Sequence, residues 1–552
     1  MWKNNDIIEL PKLNKEAVTK AVLGRIDKIE DGPVYVALRE RGRKSIEKWY
    51  TVETWEEALL DITGDFYRRS NHADSIEICF THNYQYLSDL PPRNDEYVKG
   101  IAFVNGENKS QAKSYPPVMM LNKNMSFKGA QRDFMREYDL PNKAPVYGQS
   151  YDAHCFLIFV GETVKIAPIF RGYQVFDISR VNHENCLNFI RDAAEWMQRS
   201  VTTNEENAEE IGRIVYLYRT SSYITTPDFH LVRVMEMPRL FFRLAEYFDD
   251  HIYKKAGDEM LDYHMRSFYQ ENDNFGYMSQ GYEVEIASAS LCAMAILSSD
   301  NDKYAAQEEK LFQFTLKMHQ EDGSFITYYV PVEGKNPQTY YPGETMLYWS
   351  DRLKHKPSDE LLEKLKKSFK YYSNYFRELP LDKRDGGFVS WQTQACCNLW
   401  RITKDEEVYE FIVELNDWVA DNQNWENARH PDEMGNFDSP DILKVGSNVA
   451  MTGVFAMGML EALEVAIEKG DKERARKYHT CLLRAFRSLI QQIMSDDVDT
   501  FYQARRRRSL GALKTNEIHN DVRVDIIEHG VSATLAALEK FGKSFFDKDF
   551  IK

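Results

Sequence analysis

The chain has 552 residues, is 43% hydrophobic and 28% charged, and carries a formal net charge of −16. That length exceeds one ordinary core, so two or more domains are expected, and the acidic balance argues against general nucleic-acid binding. No apolar run approaches the ~18 residues of a membrane span, and the start, Met1-Trp2-Lys3-Asn4-Asn5-Asp6, lacks the apolar core of a secretory signal. Seven cysteines at irregular spacings, without a CxxC pair, do not read as a disulfide framework; Cys396-Cys397, adjacent in a helical pattern, read as buried thiols, and the chain reads as cytoplasmic.

Residues 1–185 read as a smaller α/β domain. Val34–Leu38, Ser75–Phe80 and Ile101–Val104 are strand candidates, the last ending at the turn Asn105-Gly106. Thr54–Arg68 and Lys128–Tyr138 read as helices, with Val118–Leu121 before the second. Cys155–Val160 and Val164–Phe170, joined through Gly161-Glu162, read as a hairpin. The runs Val34–Arg39, Thr54–Arg68, Ser75–Phe80, Lys99–Phe103 and Pro117–Leu140 follow in an order that resembles the AMME chromosomal-region domain family. The family's Cys-bearing glycine loop after the first strand is replaced here by Arg43-Lys44-Ser45-Ile46-Glu47. The resemblance covers about a quarter of the chain and implies no reaction.

From about Leu187 apolar residues recur at i, i+3 and i+4, and the pattern predicts helices over 187–200, 233–251, 256–270, 283–299, 303–319, 342–354, 358–377, 390–403, 405–423, 446–468, 471–494 and 523–541. Acids open two of these (Asp405, Asp471), and Gly470 closes the helix before Asp471. Between the helices an acid beside Gly and close to an aromatic recurs. Phe275, Phe325, Phe388 and Phe437 mark it, with spacings of 50, 63 and 49, a degenerate repeat of helix pairs. Residues 186–552 are therefore expected to form an (α/α)6 toroid, with a helical solenoid as the competing packing of the same hairpins.

Gln320-Glu321-Asp322-Gly323-Ser324-Phe325, Pro342-Gly343-Glu344, Asp385-Gly386-Gly387-Phe388 and Trp391-Gln392-Thr393-Gln394-Ala395 resemble the six-hairpin glycosidase-like superfamily and the acylglucosamine epimerase family. So do Leu399–Asp405 and Asn416-Asp417-Trp418. The first motif is also similar to the Gln–Trp repeat of terpene cyclases, but Phe325 replaces the Trp and the Asp-rich cyclase signature is absent. The Cys/His zinc set of lanthionine cyclases is absent too. The resemblance implies a carbohydrate substrate held in a toroid cavity, with hydrolase and epimerase both represented.

Asp322, Glu344 and Asp385 lie at helix ends, where a toroid would let them converge as the paired carboxyls of glycoside hydrolysis. The plain alternative for Asp322 and Asp385 is a turn acid bonding backbone N–H groups before Gly; for Glu344 it is a first-turn acid favoured by the helix dipole. A second cluster runs from Asn516 to His529 and holds His519, Arg523, Asp525 and His529. Asp525 and His529 are four apart and share a helix face, where a carboxylate would orient the imidazole and raise its pKa. An N-terminal helix ion pair beside a buried His is the structural alternative. Tyr341, Trp391 and Gln394 are candidate sugar contacts. In Arg505–Arg508, Arg507 is a candidate contact for a uronate, phosphate or sulfate, or else part of a solvated turn. His519 and His529 with Asp521 or Asp525 have no compact ligand spacing, so no metal is expected. No Walker A or G-x-G-x-x-G element occurs, so no nucleotide cofactor is expected. Three readings remain open: a glycoside hydrolase using paired carboxylates on a possibly anionic glycan, a sugar epimerase or uronate lyase using His, and a non-catalytic glycan-binding or scaffold protein.

Overall fold

The structure is a computed structural model that describes residues 7–551 apart from 12–14, 26–31, 52–72, 161, 204, 332–335 and 438–448. It divides into two compact units. One comprises Met1–Phe176, Tyr218–Ile224 and Gln491–Val522; the other comprises Asp177–Leu217, Thr225–Ile490 and Arg523–Lys552.

The first unit is built on a sheet of β1 (Ile8–Leu10), β2 (Val34–Glu40), β3 (Arg43–Tyr50), β4 (Ala73–Tyr86), β5 (Lys99–Asn105), β6 (Ala112–Tyr115), β7 (Val146–Val160) and β8 (Val164–Ile169). Its order is β1-β8-β7-β4-β2-β3, with β5 pairing both β6 and β7. Every described pairing is antiparallel. Alternate residues of a strand face opposite sides, and both sides are covered here. Val34, Val36 and Leu38 pack with Ile76, Ile78, Ile158 and Ile166 on one face. Tyr35 and Ala37 pack with Cys79, Phe103 and Leu157 on the other. This explains why β2 reads as an unbroken apolar run. The expected strands and the helix Phe127–Glu137, capped by Ser126 accepting from the Gly129 N–H, are present. The expected helix Thr54–Arg68 lies outside the described residues.

The second face of this sheet is completed by Val498, Phe501, Tyr502 and Ile518. The Arg39 guanidinium, buried and 2.7 Å from Glu77, lies over the Phe501 ring. Gly42, at φ +76°, turns β2 into β3 where an added Cβ would stand 2.0 Å from the Gln503 carbonyl oxygen. Asn520 donates to the Leu121 carbonyl and accepts from the Thr220 hydroxyl, each at 2.8 Å. Residues 491–522, which sequence order places among the toroid helices, are thus packed into the sheet unit.

Among the described residues, twelve helices shape the second unit: α1 (His183–Arg199), α2 (Met237–Phe248), α3 (His251–Phe268), α4 (Ile286–Leu297), α5 (Ala305–Met318), α6 (Tyr341–His355), α7 (Asp359–Glu378), α8 (Gly386–Thr403), α9 (Glu406–Asp421), α10 (Val449–Lys469), α11 (Lys472–Gln492) and α12 (Val524–Phe541). All twelve expected helices are present. Helices α2, α4, α6, α8, α10 and α12 form an inner ring in which each packs on the next and α12 closes on α2. Ring closure distinguishes a toroid from an open solenoid. The inner helix α4 is apolar nearly all round, as enclosure requires; every one of its residues from Ile286 to Ile296 is buried. Several outer helices are capped by side chains, such as Ser358 on α7 and Asp405 on α9.

Two of the four acid–Gly–aromatic turns, those at Phe325 and Phe437, share a geometry with a further turn at Gly212, whereas Phe275 lies in a strand hairpin and Asp385-Gly386-Gly387-Phe388 opens α8. After an outer helix the chain folds back through a short bridge, Val201 to Ile214, His319 to Phe325 and Gln423 to Phe437. The turn glycines Gly212, Gly323 and Gly435 have φ of +88°, +97° and +95°. An added Cβ would stand 1.9 Å from the Glu259 carbonyl oxygen, 2.5 Å from that of Lys367 and 2.0 Å from that of Arg484, each on the next outer helix. Glycine is needed for both the left-handed turn and the close approach.

Candidate active site

Each hairpin reverses the chain, so the inner helices run the same way and gather their N-termini at one end of the ring. Acids are favoured there by the helix dipoles. Glu236 is the residue before α2, Glu285 the residue before α4, Glu344 sits in the first turn of α6, and Asp525 and Glu528 in the first turns of α12. All five are buried. Gly343 allows α6 and α8 to close up, since a Cβ there would meet Trp391 Cβ at 2.6 Å.

Glu344 Oε2 and Glu236 Oε2 are both buried without a hydrogen-bond partner among the described residues. Burial pushes the Glu344 carboxyl well above the usual range; the charges of Glu236 and Glu285 push it further, and His529 opposes them. Burial and then the charge of Glu528 raise Glu236 to about 7, against the pull of Arg239. Arg239 Nη1 lies 3.6 Å from Glu236 Oε1, while its Nη2 binds Asp351 at 3.0 Å.

On α12, Glu528 accepts from the Ser532 hydroxyl at 2.6 Å, and its Oε2 lies 2.6 Å from His529 Nδ1. Burial alone would lower the imidazole pKa, but the charge and contact of Glu528, with Asp525 and Glu236 behind them, carry it up to about 9. The Trp391 ring stands edge-on to His529, centroids 6.3 Å apart. Tyr341 donates to Glu285 at 3.0 Å, with the Tyr328 hydroxyl 3.5 Å beyond. His230 has the opposite character. Burial and then Arg233 hold its pKa down, and its Nδ1 has no partner among the described residues. A cavity of about 200 Å³ reaches into the ring, lined by Glu236, Glu528, Arg239, Arg243, Gln394 and Ser532 among others.

Of the residues singled out from sequence, Glu344, Tyr341, Trp391, Gln394, Arg523, Asp525 and His529 belong to the inner-helix N-termini or the adjoining bore. Asp322 is exposed and closes its own turn, accepting from the Ser324 N–H at 2.9 Å and hydroxyl at 2.7 Å. Asp385 caps α8, accepting from the Gly387 N–H at 2.8 Å. Arg507 and His519 lie in the sheet unit, where Asn124 Nδ2 sits 3.0 Å from His519 Nε2. The carboxylate that contacts His529 is Glu528 and not the expected Asp525. Arg523 folds back on Asp525, with Nε 3.1 Å from Oδ1, and Arg233 Nε lies 3.8 Å from its Oδ2. Glu236, Glu285, Glu528, Arg239 and His230 were not anticipated. The available signal was a lone acid inside an apolar window opening a helix, as in Val-Met-Glu236-Met and Ile-Ile-Glu528-His.

Glu236, Glu528 and His529 each bring a potential ligand atom within 4.8 Å of the others, the one such group among the described residues. Glu528 lies at Nδ1 of His529, and a carboxylate at one ring nitrogen leaves the other nitrogen to a proton or a cation. Arg239 already supplies positive charge beside Glu236.

No protein-family model matches the chain, the AMME family included, and no curated protein matches it. Solved structures do. Cellobiose 2-epimerase from Bacillus thermoamylovorans B4167 is similar with a TM-score of 0.50 at 8% identity, covering 65% of this chain and 98% of that one. D-mannose isomerase gives 0.49 at 10% identity, covering 64% and 98%. A family 76 glycoside hydrolase from a bovine Bacteroides thetaiotaomicron strain gives 0.46 at 11% identity, covering 84% and 96%. The chain shares the toroid fold of the first. No described helix is long and apolar enough to cross a membrane, and all seven cysteines are buried and unbridged.

Proposed function

We propose that this protein is a carbohydrate-active enzyme that transfers protons at the inner-helix N-termini, and that its reaction is hydrolysis of a glycosidic bond. The observation that carries this reading is the pair Glu344 and Glu236: two buried carboxyls, each with an oxygen that no described residue hydrogen-bonds. Such orphaned atoms call for a ligand or water. Mutual repulsion keeps the two from ionising together, which assigns one as acid and the other as base. Glu344, held protonated, would donate to the leaving oxygen, and Glu236, near 7, would activate water in its ionised form. Tyr341 and Trp391 would position the sugar. The buried thiols suit a cytoplasmic location.

A second reading has its own observation. His529 is held as the imidazolium while His230 is kept neutral with a bare Nδ1, an acid and a base separated by environment. Such a pair suits a sugar epimerase or uronate lyase, and the fold shared with cellobiose 2-epimerase agrees with it. The test is a panel of neutral and acidic oligosaccharides in D2O with wild type, Glu344→Gln, Glu236→Gln and His529→Gln. New reducing ends that vanish in both Glu variants support hydrolysis. Deuterium entering a ring carbon without chain cleavage, and lost in His529→Gln, moves the assignment to the second reading. Neither product from folded protein overturns both and leaves a binding or scaffold role.

A further inference from the structure

The sheet unit carries a second concavity that the toroid chemistry does not use. It has a volume of about 520 Å³, within the roughly 300–1,000 Å³ of small-molecule sites, and lies on the ribbon β6–β5–β7. Its floor follows from register. Val104 pairs with Ala112 on one side and Tyr147 on the other, and Ala102 pairs with Ser114 and Gln149. Residues two apart on a strand share a face, so these six form two cross-strand rows on one surface. Ala102, Ala112 and Val104 keep the middle shallow. Aromatic rings rise around it: Tyr147 is 58% exposed and Trp49 38% exposed, both high for large apolar side chains. Tyr84 stands nearby, fixed by stacking on Tyr151 and by a 2.8 Å bond to Thr81.

The polar groups at the rim are already matched in charge. Glu47 is bound by Lys44 and by the Tyr35 hydroxyl at 2.9 Å. Lys113 is bound by Asp133 at 3.0 Å and by Glu137. The rim therefore offers hydrogen bonds without demanding a charged ligand. The Gln149 amide adds a neutral donor and acceptor on the floor itself, and the Ser114 hydroxyl, 2.8 Å from that of Tyr151, keeps a further lone pair to accept with.

We propose that this concavity binds a neutral oligosaccharide, its ring faces laid on Trp49 and Tyr147 and its hydroxyls bonded to Gln149, Ser114 and the paired rim charges. Flat, partly apolar rings edged by hydroxyls fit an aromatic platform with a polar, charge-balanced border. The site is separate from the toroid acids, so it stands or falls independently of the reaction assigned to them.

The test is native affinity electrophoresis of the full chain through gels holding soluble mannan, xylan, mixed-linkage β-glucan or starch. At least one should retard the wild type and Glu344→Gln alike. Trp49→Ala with Tyr147→Ala should raise the dissociation constant about tenfold or more, as expected on losing aromatic anchors. Trp49→Phe with Tyr147→Phe keeps the ring faces and should restore most of the retardation, which separates a lost site from a misfolded sheet. Retardation by none of the four polysaccharides, retardation unchanged in the double Ala variant, or retardation abolished by Glu344→Gln would each overturn the proposal.

Discussion

Replacing Glu528 by Gln should reverse the protonation state of His529 at neutral pH. In the wild type burial works against the imidazolium, and Glu528 is the leading group that outweighs it, carrying the pKa to about 9. The unfolded value is about 6.5. The interval amounts to about 3 kcal/mol favouring the charged form in the folded chain. Because the folded value lies above the unfolded one, this stabilisation is fully present below pH 6.5 and is lost as pH rises to 9. Glu528→Gln removes the charge and the short contact together, leaving burial dominant and only Asp525 and Glu236 to oppose it. The His529 pKa should then fall by about two units or more, and the stability loss between pH 6.5 and 9 should shrink correspondingly. The assay is NMR titration of 13C-labelled histidine, with the His529 signal among the 13 histidines assigned from its absence in His529→Gln. Thermal denaturation across the same pH range provides the second readout. A wild-type His529 titrating at or below 6.5, or a value unmoved by Glu528→Gln, would refute the reasoning.

Glu344→Gln keeps the shape of the side chain and removes its proton chemistry; turnover should fall about 10²–10⁴-fold, with a melting temperature equal to or above the wild type's. Asp322→Asn should leave turnover within about twofold, because an Asn oxygen can still accept from the Ser324 N–H; a loss like that of Glu344→Gln would put Asp322 in the chemistry. Gly435→Ala must adopt φ +95° with a Cβ 2.0 Å from the Arg484 carbonyl oxygen, a cost of about 2–5 kcal/mol from backbone strain and overpacking. Gly470, also left-handed, has open space at the Cβ position. Gly470→Ala should therefore cost only the strain, about 1–2 kcal/mol, and urea denaturation of the two variants would show a common loss if close approach did not matter.

The helices were legible because each carries its own evidence: apolar spacing, a capping Ser or Asp, and a closing Gly such as Gly470. Ring closure was not, since α12 meets α2 across some 280 residues and no local pattern records it. The site divides the same way. Glu344, Tyr341, Trp391 and His529 stand beside turn residues that draw the eye. Glu236 and Glu285 stand between apolar neighbours, where they read as solvated helix acids although their surroundings left them no solvent. Asp322 had the most conspicuous motif, and that motif serves the backbone: the acid closes the turn and Gly323 lets it rest on α7. Spacing alone could not distinguish Asp525 from Glu528 as the partner of His529, because the choice depends on where Arg523 folds.

The sheet unit draws on both ends of the chain, and this constrains how the protein can be made. A ribosome releases Tyr35, Phe103 and Leu157 early, but Phe501, Tyr502 and Ile518, which cover the same face, emerge only after nearly all the helices. Met120, Leu121, Phe127 and Phe134 of the N-terminal segment cover part of that face, and the rest of its cover waits for the end of synthesis. A gene fragment ending near residue 185 encodes the sheet with Leu121, Phe127 and Phe134 over this face but without Phe501, Tyr502 and Ile518. The sheet unit is therefore completed only when the C-terminal segment arrives.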